Sequence, residues 1–195
     1  WFGLTSRARI IAISIDRVKL GEISTYEELA DPKWKGRICT RSGKHPYMVA
    51  LTASVIVAHG MDGAKNWLQG VKDNLARKPQ GNDRAQVKAI HSGLCDVAVI
   101  NHYYMAKMLA DPEQVPWAES VRVVFPNQEG RGTHMNVSGV ALTKHSPNKE
   151  DAIKLMEFLS SAKGQALYAE KNGEYPVSND IGRIVGFHNP LLASW

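Results

Sequence analysis

Residues 96–108 read DVAVINHYYMAKM. The first five, DVAVI, are a short apolar, β-branched run of the kind that makes a buried strand. Asn101 and His102 follow, and Tyr103 and Tyr104 then open a helix that runs to about residue 109. A strand that feeds a helix through so short a turn is the repeating unit of an α/β fold. In such sheets ligands bind at the carboxyl ends of the strands, where loops lead into helices.

The same alternation extends in both directions. RIIAISI at 9–15 reads as a buried strand. Ser24 and Glu27 have the spacing of a capping box and start a short helix, which Asp31-Pro32 stops. A brief strand at 37–40 leads into the loop 41–46, and Pro46 suits the first turn of the next helix. That helix runs to about 59, with Gly60 as its C′ residue, and a second covers 62–76. Asn82 caps a helix that ends near 92. Strands are expected at 121–125 and 137–143, separated by the polar, Gly-rich loop 126–135. Helices at 147–160 and 162–171 precede an extended segment at 175–176. Strands and helices in this order predict an α/β class with a mostly parallel sheet covered by helices.

Composition narrows the function classes. Of 195 residues, 44% are hydrophobic, enough for a core and too many for a disordered chain. Lys and Arg number 24 against 19 Asp and Glu, a net charge of +5 that is spread along the chain. No basic run has the density of a nucleic-acid arm, so nucleic acid is not an expected partner. The apolar stretch 48–58 is about half the ~20 residues that a membrane span needs, so no membrane span is expected. Two cysteines, Cys39 and Cys95, make neither a disulfide scaffold nor a zinc pattern, and buried thiols are expected of them. The chain opens at Trp1 without a signal segment and closes on Leu191-Leu192-Ala193-Ser194-Trp195, which reads as though both ends were cuts.

Two loops stand at strand-to-helix turns, 41–46 and 101–104, and the chemistry is sought there. Adjacent tyrosines at a helix start are ordinary packing groups, or else paired phenolate ligands. A phenol is neutral at pH 7, and a bound trivalent cation offsets the cost of removing its proton. If the two loops are neighbours, Tyr47 completes a three-phenolate face with Tyr103 and Tyr104. Arg41, Ser42 and Gly43 precede the helix that carries Tyr47. A helix N-terminus together with a guanidinium suits a small oxyanion in the open positions of such an ion. Ser42 and His45 lack an acidic orienter and a nucleophile-elbow pattern, which argues against a hydrolase.

With these residues in hand, the chain resembles bacterial periplasmic ferric-iron-binding proteins, the transferrin-like receptors of iron ABC importers. The stretches that carry the resemblance are WFGLTSRARII at 1–11, YEELADPKWKGRI at 26–38, GNDRAQ at 81–86, DVAVINHYYMAKM at 96–108, NVSGVALTKHSPNKEDAIKLMEFLSS at 136–161 and NGEYPV at 172–177. The resemblance implies a type II periplasmic-binding-protein lobe with the remnant of a second. In that layout 1–12 is a crossover strand and 13–130 the iron-ligand lobe. Residues 131–171 are the return crossover with the remnant of the N-terminal lobe, and 172–195 a tail returning to the iron-ligand lobe. It further implies Fe(III) held by Tyr47, Tyr103 and Tyr104. Carbonate or a similar synergistic anion would lie near Arg41, Ser42, Gly43, Asn101 and Asn82. A permease of an ABC importer would be the partner, the periplasm the compartment, and no catalysis is implied. Family members carry a further domain's worth of sequence ahead of this start, so the resemblance also implies self-association through the exposed remnant lobe. The alternative is a receptor for a small anion or organic solute that uses the same tyrosines without iron.

Overall fold

The computed structural model describes residues 1–177. The chain divides into two compact units: Ala8–His134, and Trp1–Arg7 together with the segment that starts at Met135. The first strand, β1 (Phe2–Ser14), runs through both.

In the unit Ala8–His134, β1 contributes its most apolar half. Ile10, Ile11, Ala12 and Ile13 have no exposed surface, as a strand covered on both faces requires. It lies between β3 (Val97–Asn101) and β4 (Val121–Val124), and β2 (Ile38–Cys39) pairs with the far side of β3. Arg9 faces Asn101 in register, Ile11 faces Val99 and Val124, and Ile38 faces Val97. The helix-flanked α/β lobe is as expected, but its sheet is mixed. Only β2 and β3 run parallel, and β1 is antiparallel to both its neighbours. The alternation rule requires a crossover helix between parallel strands. The chain leaves β1 instead through two short 3-10 turns, Glu27–Ala30 and Pro32–Trp34.

Helix α1 (Pro46–Asp73) packs over these turns and buries Met48, Leu51, Val55, Ala64, Trp67 and Val71 in the lobe core. Each fully buried aliphatic side chain contributes about 1.5–3 kcal/mol. The Trp67 indole N–H donates to the Tyr26 carbonyl at 2.7 Å. A Cβ on Gly70 would meet the Ala30 Cβ at 2.7 Å, so the close approach of α1 to the first turn needs glycine there. Gly60, at φ 70°, breaks α1 where the sequence predicts a helix end. By length and composition alone α1 could cross a membrane, with mean hydropathy 1.2 over its most apolar 18 residues. The capping box forms one residue later than its spacing suggested. The Glu28 carboxylate accepts the Thr25 N–H at 2.8 Å, and the Thr25 hydroxyl accepts the Glu28 N–H at 3.3 Å. Glu27 is drawn away to Asn127, His59 and Arg131.

After α1 come α2 (Asp83–His91), α3 (Tyr103–Leu109) and a short α4 (Val115–Glu119) that the sequence reading did not include. In the other unit, β5 (Met135–Val140) and β6 (Tyr175–Pro176) pair with the first half of β1, and α5 (Lys149–Ser160) packs on α6 (Ala162–Asn172). The Gln165 amide donates to the Leu4 carbonyl at 2.7 Å, and its oxygen accepts the Val177 N–H at 3.0 Å. Most of the expected tail, 172–195, lies outside the described residues.

Cys39 and Cys95 are a disulfide, not two buried thiols. They are 56 residues apart in sequence, but parallel pairing of β2 with β3 brings their Cα atoms to 5.9 Å. The bond closes a loop that holds all of α1 and α2, and in the chain-entropy model such a loop is worth about 4 kcal/mol. Replacing both cysteines by serine is expected to lower unfolding stability by about 2–4 kcal/mol, read from urea denaturation of the two forms.

Candidate metal and anion site

The carboxyl ends of β2 and β3 lie side by side, so the loops that follow them meet. The loop after β2 turns at Ser42, whose carbonyl accepts the His45 N–H at 3.0 Å and whose Oγ accepts the Lys44 N–H at 3.3 Å. His45 then caps α1, its Nδ1 accepting the Tyr47 N–H at 3.2 Å, while its carbonyl takes the N–H groups of Met48 and Val49. These contacts engage Ser42 and His45 with backbone within one turn. Burial, then the nearby charge of Arg41, lowers the His45 imidazole below its ordinary value.

The loop after β3 passes directly into α3. His102 is buried and its Nδ1 accepts the Ala8 N–H at 3.1 Å, which fixes the start of the helix against β1. Tyr103 and Tyr104 stack with centroids 4.4 Å apart and planes inclined by 29°. The Tyr47 and Tyr103 hydroxyl oxygens are 3.3 Å apart, within hydrogen-bond distance. The three phenols therefore stand in one row, with Tyr103 bonded to Tyr47 on one side and stacked on Tyr104 on the other. Burial raises the Tyr103 phenol far above the ordinary tyrosine range, and the neighbouring Tyr104 and Tyr47 push it the same way. Tyr103 therefore keeps its proton unless something positive replaces it. Among the described residues no three His, Cys, Asp or Glu side chains gather to hold a metal ion. The oxygen donors that do converge are phenolic, the hard and potentially charged type that a trivalent cation prefers.

The expected anion residues are placed less uniformly. Ser42 and Gly43 are exposed in the loop before α1. Arg41 lies with its guanidinium carbon 5.1 Å from the centre of the Tyr47 ring, but it is not an open fork, because Nη1 donates to Asp83 at 3.0 Å. Asn82 is exposed and caps α2, its Oδ1 accepting the Ala85 N–H at 3.0 Å. Asn101 is buried, and its Oδ1 accepts from Arg9 Nη1 at 3.0 Å.

Two residues here escaped the sequence reading. Asp83 has no exposed surface and receives Arg9 at 2.6 Å as well as Arg41. Arg9 stands 5.7 Å from the Tyr47 ring centre and is 1% exposed. Their signal was present: an arginine inside the apolar run RIIAISI must be paired once that run is buried. Its partner was hidden because the helix-capping role of Asn82 explained the neighbouring position.

Comparison with known proteins places this geometry in a family. The family profile described as bacterial extracellular solute-binding protein matches residues 1–191. Iron uptake protein A1 of Synechocystis sp. is 53% identical over 179 residues, covering 91% of this chain and 50% of that protein. The crystal structure of apo ferric ion-binding protein A of Pasteurella haemolytica superposes with a TM-score of 0.89 at 53% identity, over 95% of this chain and 59% of that one. A Trichodesmium protein solved in complex with iron and citrate superposes with a TM-score of 0.87 at 44% identity, over 95% and 61%. The chain thus spans about half the length of the curated relatives it matches. With its sequence matched from end to nearly end and its fold shared with these structures, the chain belongs to the bacterial extracellular solute-binding protein family.

Proposed function

We propose that this chain binds ferric iron through the phenolates of Tyr47, Tyr103 and Tyr104, with a small synergistic anion such as carbonate beside Arg41, Ser42, Gly43, Asn101 and Asn82. The observation that carries the reading is the convergence of three phenols at the meeting of two strand-to-helix loops, Tyr103 bonded to Tyr47 and stacked on Tyr104. Iron is the cargo, so the chain would pass it to the permease of an ABC importer and catalyse nothing. The relatives support this class through their names, which speak of iron uptake and ferric ion binding. In this reading residues 13–130 form the iron-ligand lobe, and 131–171 supply the return crossover and part of a second lobe.

The chemistry follows from the phenols. Each ligand gives up one proton, and Fe(III) with three phenolates sums to zero charge. An anion then fills open positions of the octahedron. The first-turn N–H groups of α1 are taken by His45, so the anion relies on the Arg41 guanidinium and the backbone of Ser42 and Gly43. The disulfide suits the oxidising periplasm. Helix α1 belongs to the lobe and not to a membrane, because Gly60 breaks it and one face supplies the core. The second reading, a receptor for an anion or organic solute without iron, is favoured by the two arginines beside Tyr47.

The deciding measurement is the visible absorption of the protein after adding Fe(III) from a weak chelate. A phenolate-to-iron charge-transfer band is expected. Tyr103→Phe should abolish it, while Met61→Ala on the exposed side of α1 leaves it unchanged. Colourless protein that binds small anions equally well would establish the second reading. Acid must release the metal, because protonation competes for each ligand. Apparent iron affinity should fall with each pH unit by up to ~10³-fold, tenfold for each of the three phenols, as followed by chelator competition. Trp1, Leu155 and Phe158 are exposed apolar side chains in the unit that contains β5 and β6, and the isolated chain should self-associate through them. Sedimentation equilibrium should show a mass that grows with concentration; an invariant monomer overturns this.

A further inference from the structure

Two guanidiniums and one carboxylate meet behind Tyr47. Asp83 Oδ2 receives Arg9 Nη1 at 2.6 Å and the Asn101 N–H at 2.7 Å, and Oδ1 receives Arg41 Nη1 at 3.0 Å. Arg9 is held from its other side by the Val99 carbonyl at 3.0 Å and by the Met48 sulfur at 3.4 Å. Arginine stays protonated in proteins, so two positive charges against one negative leave this group at +1, and Lys107 and Arg84 add positive charge over the rings of Tyr103 and Tyr104. Three donors of this group are buried without a hydrogen-bond partner, Arg9 Nε, Arg41 Nε and Asn101 Nδ2. Buried donors of this kind ask for an acceptor.

We propose that Asp83 is the positioning residue that tunes the charge of the anion the site takes: it pins Arg41 and Arg9 beside Tyr47 and cancels one of their two charges, so that a doubly charged anion is held less favourably, relative to a singly charged one, than it would be without Asp83. The proposal rests on the anion reading given above and deepens it. Iron with three phenolates is neutral, so the anion meets the charge of the surrounding cationic groups, and Asp83 lowers that charge by one. Asparagine at position 83 keeps the shape and one acceptor oxygen but raises the group to +2. Any second charge on the anion then gains one extra attraction. At about 6 Å, in a surrounding between protein and water, this is worth roughly a tenfold change in relative affinity.

The experiment uses the full chain loaded with Fe(III) in bicarbonate-free buffer. Bicarbonate or formate serves as the single charge and sulfate as the double charge, and the half-saturating anion concentrations are read from the charge-transfer band. Asp83→Asn should move the sulfate-to-bicarbonate preference roughly tenfold toward sulfate. Asp83→Glu, which keeps the charge, should retain the original preference. A purely structural lesion weakens both anions alike, so an unchanged ratio in Asp83→Asn overturns the proposal. Should that variant not fold, Arg41→Gln reads the same balance from the other side. It is expected to shift the ratio toward the single charge, and an unchanged ratio there again overturns the idea. If the unaltered chain gives no band, the iron reading fails on its own. The ratio is then taken from thermal stabilisation of the iron-free protein by the same anions, with the same outcomes deciding.

Discussion

The ion pair between Arg9 and Asp83, 2.6 Å long and almost wholly out of water, is the contact on which the lobe turns. It joins the middle of β1 to the first turn of α2, and through the Asn101 N–H it also holds the end of β3. Removing a guanidinium and a carboxylate from water costs several kcal/mol per ion, so such a pair gives little net stability. It does fix the relative placement of the elements it joins, because either charge left alone would be far more costly than any shift in packing. The phenol row is positioned by this arrangement, since Asn101 is two residues before Tyr103 and both arginines stand against the Tyr47 ring.

Around that centre the fold repeats one device, in which a polar group on one segment fixes the backbone of another. The Tyr26 hydroxyl, buried in the core, donates to the Arg9 carbonyl and accepts the His134 N–H. Its phenol is raised above the ordinary range by burial, so it stays neutral and serves only as a hydrogen-bonding post. Asn127, in the left-handed region at φ 63°, accepts the Tyr26 N–H at 3.0 Å and donates to Glu27 at 2.7 Å. Burial alone would raise the Glu27 carboxyl, but hydrogen bonds from Asn127, His59 and Arg131 bring it down to about 2. The disulfide adds a covalent tie between β2 and the segment that leads into β3, the two strands whose loops carry the phenols.

Much of this was legible locally. The strand before Tyr103, the helix starts at Pro46 and Asp83, the break at Gly60 and the pairing of strand with helix all follow from short-range patterns of apolar periodicity, caps and glycine. Three features were not. The sheet is mixed because β1 enters the lobe without a crossover helix on its way to β2, which alternation counts cannot detect. The capping box slid by one residue because Glu27 had partners far away in sequence, His59 and Arg131. Arg41 read as an open fork because its partner is 42 residues distant.

The amino-acid sequence by itself therefore determined the class of fold and the residue types that gather at the candidate site: tyrosines at one strand-to-helix turn, and an arginine loop before another. These depend on propensity and periodicity within a dozen residues. Only the tertiary structure decided that Tyr47 and Tyr103 bring their hydroxyls to 3.3 Å, that Cys39 meets Cys95, and that Asp83 stands between two arginines. Each of those is set by which strand lies beside which, and neighbouring in a sheet is fixed by burial of the whole apolar set at once. No local run of residues contains that information.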